Sequence, residues 1–239
     1  MITFSNKKRS EQLEIMDDLD FQGEEMKNLL GDLKRVNKWL GGNSITIEGI
    51  TELLKDYPKK EKVTILDIGC GDGEMLRKCA NFGKKNNFNF ELIGIDFNEN
   101  ILEFAKNKSK EYPNIKFEKV DVFLEKKLIP NCDIALCTLF LHHFSTEKIE
   151  QLVNVLLLKT SIGLVINDLQ RNRIAFSFFK LFSSLFLKTK TAKNDGLVSI
   201  AKGFKKEELE IISTKIPNQK SSIHWRWAYR FEWILKNTA

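Results

Sequence analysis

The sequence predicts an α/β protein built on a doubly wound, mainly parallel sheet. Between residues 58 and 167, short runs of strand-forming residues alternate with segments of helical character. These runs place five strands near residues 63–68, 91–96, 115–120, 132–137 and 162–167. Sheets of this type bind ligands at the carboxyl ends of their strands. The residues that follow each run are therefore the first candidates for function.

The first two strands end in residues suited to a nucleoside. The first strand contains Asp67 and continues into a loop with glycine at every second position, Gly69, Gly71 and Gly73. Glycine lets backbone approach a ligand closely. The second strand ends in Asp96, a carboxylate placed to accept hydrogen bonds from ribose hydroxyls. The pair predicts a nucleoside-binding edge of the sheet.

The same loop argues against a cofactor that contains a pyrophosphate. The dinucleotide fingerprint G-x-G-x-x-G requires a third glycine, where this chain has Glu74 or Leu76, depending on the glycine that starts the count. A carboxylate at the start of a helix would also repel a pyrophosphate. An acidic loop with Asp67, Asp72 and Glu74 better suits a cofactor that has a ribose and a positive centre but no phosphate.

Four motifs in order resemble those of class I S-adenosylmethionine-dependent methyltransferases. Residues 67–73 resemble the first motif, Asp96 the ribose-binding acid, residues 117–122 the third-strand motif and residues 132–137 the fourth strand. The resemblance implies a Rossmann-like fold, methyl transfer as the activity and S-adenosylmethionine as the cofactor. The cofactor residues that it implies are Asp67, Gly69, Gly71 and Gly73 in the loop, Asp96 and Phe97 at the ribose and adenine face, Asp121 and Val122 at the adenine edge, and Cys137 at the methionine end.

Length and composition limit the architecture. The chain of 239 residues can bury a full core, and 42% hydrophobic and 29% charged residues are ordinary values for a globular protein. We expect an N-terminal helical cap segment at 1–57 and a methyltransferase domain at 58–239, with a helical lid insertion at about 171–203 after strand five. We find no signal-peptide pattern and no apolar stretch of the ~18–20 residues that a membrane span needs, so we expect a cytoplasmic protein.

The cysteines and histidines do not predict a metal site. Four cysteines lack C-x-x-C spacing and lie on or beside predicted strands, so we expect small apolar core residues in a reducing compartment. With only three histidines and no ligand cluster in the sequence, we predict no metal.

The net charge of +6 raises the question of nucleic-acid binding. The lysines are spread along the chain, as on a solvated surface. The segment after strand four, residues 137–144, resembles neither the Asn/Asp-Pro-Pro-Tyr/Phe loop of amino-methylating enzymes nor the Pro-Cys of cytosine-methylating enzymes. We therefore expect a small-molecule substrate and no nucleic acid.

The N-terminal segment, residues 10–57, is predicted to be helical. Its apolar residues recur at broadly helical spacing: Leu13, Met16, Leu19, Met26, Leu29, Leu30, Leu33, Val36 and Leu40. The run Gly41–Gly42–Asn43 is predicted to end a helix.

A phenylalanine-rich segment follows strand five. Residues 174–187 hold five phenylalanines in fourteen positions. One reading is an ordinary helix packed over the sheet or against the N-terminal helices. The other is a helix that walls an apolar substrate pocket or contacts a membrane surface, with Lys180, Lys188, Lys190 and Lys193 beside it.

Methyl transfer to a phenol predicts a base. A phenol has a pKa of about 10 and is mostly protonated at neutral pH, so a histidine could accelerate the reaction. His142 and His143 follow strand four and are the predicted catalytic residues, the alternative being a structural role at a helix start. Arg171, His224 and Arg226 are predicted to bind the substrate; for the last two, the alternative is an ordinary C-terminal strand with a buried aromatic face.

Patterns outside the core motifs resemble bacterial methyltransferases associated with type III polyketide synthases. They lie at residues 16–18, 32–42, 167–171, 195–204 and 224–230. This resemblance implies O-methylation of a phenolic or polyketide-type aromatic hydroxyl, on a substrate that is aromatic or lipid-tailed. Two alternatives stay open: C-methylation of a quinone-like ring, and a cofactor-binding protein without turnover. A peripheral membrane contact is a further expectation, and the sequence does not indicate an oligomeric state.

Overall fold

Seven strands form one sheet in the computed structural model of the protein, which describes residues 2–18 and 21–238. The strands are β1 (Lys62–Ile68), β2 (Asn89–Asp96), β3 (Ile115–Lys119), β4 (Cys132–Thr138), β5 (Thr160–Leu169), β6 (Gln219–Arg226) and β7 (Arg230–Asn237). Their order is β3-β2-β1-β4-β5-β7-β6; β1 to β5 are parallel, and β7 is antiparallel to β5 and β6. The predicted Rossmann-like, doubly wound, mainly parallel sheet is confirmed, and a C-terminal hairpin completes it.

The helices of the described residues connect and flank these strands. They are α1 (Gly23–Trp39), α2 (Gly42–Leu53), α3 (Glu74–Asn86), α4 (Glu99–Lys108), α5 (Thr146–Lys159), α6 (Arg173–Phe186), α7 (Lys190–Lys202) and α8 (Lys206–Thr214). Short 3₁₀ turns lie at Ile15–Asp17, Lys126–Leu128 and Leu141–His143. The helices α6 and α7 occupy the region of the predicted lid insertion.

Alternate residues of the central strands point into two different cores. Ile65 of β1 packs with Ile50 of α2 and Leu76 of α3 on one face of the sheet. Its neighbour Leu66 packs on the other face, in the core that includes Leu152 of α5. A strand buried on both faces has to be apolar at successive positions, which explains the uninterrupted apolar runs in the sequence.

The winding direction reverses between β1 and β4. Ile68, the last residue of β1, is in register with Ile95 of β2 on one side and with Cys137 of β4 on the other. At such a point the connections leave in opposite directions and a crevice opens beyond the strand ends. The loops that follow β1, β2 and β4 therefore begin side by side.

The N-terminal prediction is confirmed only in part. As predicted, a helix ends just before the glycine pair Gly41 and Gly42, since α1 stops at Trp39 and α2 begins at Gly42; Leu29 of α1 is buried. A helix from residue 10 onward is wrong, because residues 2–14 are extended or irregular and Ile15–Asp17 forms a single 3₁₀ turn. Leu13 is 82% exposed, while Phe4 and Met16 pack against the core that contains Leu29. Leu19 lies outside the described residues.

A third core joins α1 to the helices that follow β5. Phe179 and Phe182 of α6 are buried with Leu29 and Leu30 of α1 and Ala192 of α7. The phenylalanine-rich segment thus packs against the N-terminal helices, as the first of the two interpretations predicts, although part of its surface stays exposed. Across the described ranges, no helix is both long enough and apolar enough to cross a membrane.

Candidate active site

A cleft of about 400 Å³ opens beyond the carboxyl ends of β1, β2 and β4. The loop after β1, the end of β2, the turn after β3 and the segment after β4 contribute to its walls. Leu13, Met16 and Asp17 of the N-terminal segment also line it. Its size is within the range of small-molecule sites, and it lies where the topology predicts a ligand.

The glycine loop presents bare backbone to this cleft. Gly69 and Gly71 line it and have φ angles of +64° and +52°, a region that other residues rarely adopt. A Cβ atom on Gly69 would lie 2.3 Å from Cδ2 of Phe140. Gly73, with φ of +73°, is the N-cap of α3 and does not line the cleft. The alternating glycines therefore serve two functions, cleft backbone and helix start.

Asp96 joins the loop to the second strand and faces the cleft. Its Oδ2 accepts a hydrogen bond from the backbone N–H of Gly71 at 3.1 Å, and its Oδ1 accepts one from Asn98 at 3.0 Å. Burial raises the pKa of Asp96, and these hydrogen bonds counteract part of that rise. Each carboxylate oxygen can accept more than one bond. Asp96 can therefore hold the loop and receive ligand hydroxyl groups at the same time.

Asp67 lies behind the loop. It is only 2% exposed and does not line the cleft. Burial, together with the charge of Asp96, raises the pKa of Asp67 to about 8. A positive charge nearby would favour its ionised form. The structure thus places Asp67 in the interior at the end of β1 and not in the cleft wall.

Three residues around β2 and β3 line the cleft where the sequence predicts an adenine site. Phe97 is 41% exposed, and Val122 is largely buried. Asp121 uses Oδ1 to accept backbone hydrogen bonds from Phe123 at 2.8 Å and Leu124 at 3.0 Å, which shapes the turn after β3. Its second carboxylate oxygen takes no part in those two bonds.

Cys137 does not reach the cleft. Its side chain is fully buried in the core between the sheet and α5, because the alternation along β4 directs it to that face. Leu139 and Phe140, which follow β4, line the cleft in its place. Leu139 has a φ angle of +54°. The residues that line the cleft here are two and three positions beyond the predicted one.

His142 is enclosed by two carboxylates and does not line the cleft. Its Nδ1 lies 2.7 Å from Oδ1 of Asp168, and its backbone N–H donates to Oδ2 of the same residue at 3.2 Å. Its Nε2 lies 3.5 Å from Oε1 of Glu14. Burial alone lowers the pKa of His142, but the charge and hydrogen bond of Asp168 and the contact with Glu14 outweigh it and raise this pKa to about 9. His142 is thus a buried cation that lies between the carboxylates of Asp168 and Glu14.

His143 is the histidine that lines the cleft. Its side chain is 15% exposed, and its Nδ1 lies 2.9 Å from Oδ1 of Asp17. The ring centroids of the two histidines are 4.3 Å apart. The Asp17 carboxylate lies beside Nδ1, so Nε2 is the nitrogen left to accept a proton.

The N-terminal strap, residues 9–17, holds both histidines from outside the sheet. Arg9 donates to the backbone carbonyls of Lys202 and His142, each at 2.8 Å. Asp195 of α7 accepts the backbone N–H groups of Ile15 and Met16, each at 3.0 Å. Sequence reasoning assigned no site role to Glu14 or Asp168, whose importance depends on contacts that only the fold creates.

The predicted substrate residues are not brought together. Arg171 is 1% exposed, forms a two-point ion pair with Glu208 and donates to the carbonyl of Gly203 at 2.7 Å, which ties β5 to α8. Arg226 pairs with Glu232 across the β6–β7 hairpin. His224 is exposed on β6. None of these three lines the cleft, because each is committed to a local structural contact or faces solvent.

An apolar recess adjoins the cleft. Leu139 lines both, and Leu33 of α1, Ala175 and Phe179 of α6 and Ala192 of α7 contribute to the recess walls. The recess lies between the N-terminal helices and the helices after β5. A nucleoside-type cleft with His143 in its wall therefore adjoins a small apolar recess of about 90 Å³.

The fold and the cleft define an S-adenosylmethionine-dependent methyltransferase. A family model described as "Methyltransferase domain" matches residues 59–216. The chain belongs to this family of methyltransferase domains.

Curated relatives match shorter segments of the chain. Phosphoethanolamine N-methyltransferase 3 of Arabidopsis thaliana is 27% identical over 114 residues, which are 47% of this chain and 22% of that protein. Carboxy-S-adenosyl-L-methionine synthase of a Nitratiruptor species is 35% identical over 71 residues, or 29% of this chain and 28% of that protein. These matches span less than a third of either relative.

A solved structure shows the same fold over most of the chain. The plantazolicin methyltransferase BpumL in complex with SAH superposes with a TM-score of 0.64 at 18% identity, covering 89% of this chain and 94% of that chain. At this identity the likeness concerns the fold alone.

S-adenosylmethionine is the cofactor, and the cleft fits it. The cradle at Gly69 and Gly71 would be filled by any side chain or strained by it, so it is open to a ligand that needs close backbone approach. Asp96 would hold the ribose hydroxyls, and the ring of Phe97 and the turn at Asp121 would hold the base.

Proposed function

We propose that the protein methylates the phenolic hydroxyl of an apolar aromatic molecule. The observation that carries this proposal is the position of His143, which lines the cofactor cleft. Leu139 lines both this cleft and the apolar recess. An apolar recess can bind an aromatic ring, and a histidine can remove the proton that a hydroxyl group has to lose. This supports O-methylation over transfer to carbon or to an amine.

The chain's own contribution is to hold the substrate oxygen and remove its proton. Bound S-adenosylmethionine supplies a methyl group that is already activated by its sulfonium. Nε2 of His143 would accept the phenolic proton, while the carboxylate of Asp17 beside Nδ1 would orient the ring. The recess would exclude water and orient the aromatic ring, since alignment of the reacting atoms supplies much of the rate.

Replacing His143 with glutamine is expected to lower kcat for a phenol by roughly 10²–10⁴-fold with little change in S-adenosylmethionine affinity. The remaining rate should rise as the pH approaches the phenol pKa of about 10, because ionised phenol needs no base. The measurement is a pH–rate profile of methyl transfer, with cofactor affinity from calorimetry. His224→Gln, on an exposed histidine of β6, is the matched control. An unchanged profile in His143→Gln would exclude this residue as the base.

The exposed face of α6 supports a substrate with an apolar tail. Ile174, Phe178, Leu181 and Leu185 follow one another at helical spacing and are each between 43% and 68% exposed. Phe178 also lines the recess. Residues 170–194 contain basic residues and no aspartate or glutamate. An apolar helix face with lysines beside it is typical of a helix that lies on an anionic lipid surface, and we propose that α6 contacts such a surface.

The double variant Leu181→Glu, Leu185→Glu is expected to lose at least tenfold in binding to phosphatidylglycerol vesicles. Two carboxylates on the apolar face oppose both insertion and the anionic surface. Co-sedimentation with vesicles measures the change, and higher salt should weaken wild-type binding as well. Leu158→Glu, on an 87% exposed leucine of α5, is the control that should bind like the wild type. Equal binding by the double variant would show that this face is not the contact.

A further inference from the structure

A buried arginine lies in the wall of the apolar recess. Arg230 is the first residue of β7, is only 2% exposed and lines the recess together with residues of α1, α6 and α7. Arginine keeps its charge in proteins, and a buried charge normally has a charged or hydrogen-bonding partner. Arg230 is therefore expected to have such partners within the protein or in a ligand.

The described residues satisfy only part of the hydrogen-bonding capacity of this guanidinium. Its Nη2 donates to Oδ1 of Asn37 at 2.9 Å. Its Nη1 is buried without a hydrogen-bond partner in residues 2–18 and 21–238. Burial lowers the pKa of Arg230 to about 10, and the charge of Asp168 opposes that shift. Asp168, however, is already engaged by the ring and backbone of His142.

The surrounding fold leaves space for this side chain. A Cβ atom on Gly42, the first residue of α2, would lie 2.7 Å from the guanidinium carbon of Arg230. Gly42 is itself held in place, because its carbonyl accepts a hydrogen bond from the side chain of Asn167 at 2.7 Å. The absence of a side chain at residue 42 is thus what allows a bulky cation to be buried beside the recess.

We propose that Arg230 binds an ionised oxygen acid group of the substrate, in the simplest case a carboxylate carried by the aromatic ring. An anion entering the recess would give Nη1 the charge-assisted hydrogen bond that it lacks in the protein alone. The apolar walls would hold the ring, and Leu139 would place it next to the cofactor cleft. This inference rests on the proposed function, since it treats the recess as the substrate site, and it adds the charge of the substrate.

The test compares two probes of similar size and shape, one an anion and the other neutral. Binding of 4-pentylbenzoate and of 4-pentylbenzamide is measured by calorimetry, on the full chain saturated with S-adenosylhomocysteine. We expect the carboxylate to bind at least tenfold more tightly than the amide. In Arg230→Met this preference should disappear, and in Arg230→Lys, which keeps the charge, part of it should remain.

Arg173→Met, which removes an exposed arginine at the start of α6, is the control and should keep the full preference. Equal binding of the two probes to the wild type would overturn the inference even where Arg230→Met fails to fold. An undiminished carboxylate preference in Arg230→Met would also overturn it. Because no methyl transfer is measured, a clear preference combined with a failure to methylate phenols would refute the proposed function and not the role of Arg230.

Discussion

Replacing Asp96 with alanine is expected to weaken S-adenosylmethionine binding by about 1.5–3 kcal/mol, roughly 10- to 150-fold in Kd. Alanine cannot form the hydrogen bonds that the carboxylate would make to the ribose. The backbone N–H groups of Gly71 and Asn98 would also lose their acceptor, so the glycine loop would lose one of its attachments. Calorimetric titration with S-adenosylmethionine and with S-adenosylhomocysteine measures both affinities, and both should fall by similar factors because both ligands carry the same ribose.

A nearby carboxylate provides the control for this experiment. Glu99, three residues further along, is exposed and pairs with Lys119 at 3.0 Å, outside the cleft lining. Glu99→Ala should leave both affinities unchanged. If Asp96→Ala bound the cofactor as tightly as Glu99→Ala, the assignment of the ribose to the end of β2 would have to be abandoned.

Replacing His142 with alanine is expected to destabilise the protein by about 3–5 kcal/mol. The change would leave Asp168 and Glu14 buried near each other without the charge that now lies between them. It would also remove the buried ring contact with His143. Urea unfolding at pH 6 measures the effect as a lower midpoint, and His224→Ala, on an exposed ring, should leave the midpoint unchanged.

The same ion pair predicts how stability depends on pH. The pKa of His142 is about 9 in the folded chain, above the unfolded value of about 6.5. Its contribution is therefore fully present below pH ~6.5 and is lost as the pH rises toward 9, a change of about 3 kcal/mol. The pKa values of Asp168 and Glu14 are lowered in the fold because burial is outweighed by hydrogen bonds and charge interactions, chiefly with His142, so their contributions disappear in acid.

A flat dependence of the wild-type stability between pH 6.5 and 9 would contradict this interpretation. The double variant His142→Asn, Asp168→Asn separates charge from packing, because it removes both charges and leaves polar side chains of similar size. It should cost less than either single change, since neither member of the His142–Asp168 pair is left as an uncompensated ion, and Lys202 stays 3.6 Å from Glu14.

The two adjacent histidines show how far sequence reasoning reaches. Their position after β4 predicts that they lie near the reacting atoms, because parallel strands end at one edge of the sheet. Which ring reaches the cleft depends on the 3₁₀ turn at Leu141–His143 and on Glu14 and Asp17 of the N-terminal strap. Residues near the start of the chain therefore decide the chemistry of residues near its middle.

The arginines also show what the sequence pattern cannot predict. The sequence predicts substrate roles for Arg171 and Arg226, and both form ion pairs, with Glu208 and Glu232. Arg230, to which the sequence assigned no role, lies in the recess with Nη1 unpartnered among the described residues. No local pattern separates them, since the difference is whether a carboxylate from another element comes close enough.

The sequence alone determined the central sheet, the glycine loop and the acid at the end of β2. These features follow from short-range rules: apolar runs form buried strands, and glycine is needed where φ is positive, as it is at Gly69 and Gly71. The tertiary structure decided the surroundings of His142, His143 and Arg230. Those surroundings depend on contacts across the chain, such as that of Arg9 with the carbonyl of His142, 133 positions away. Burial and charge pairing arise only when such distant segments meet, which is why spacing along the chain does not reveal them.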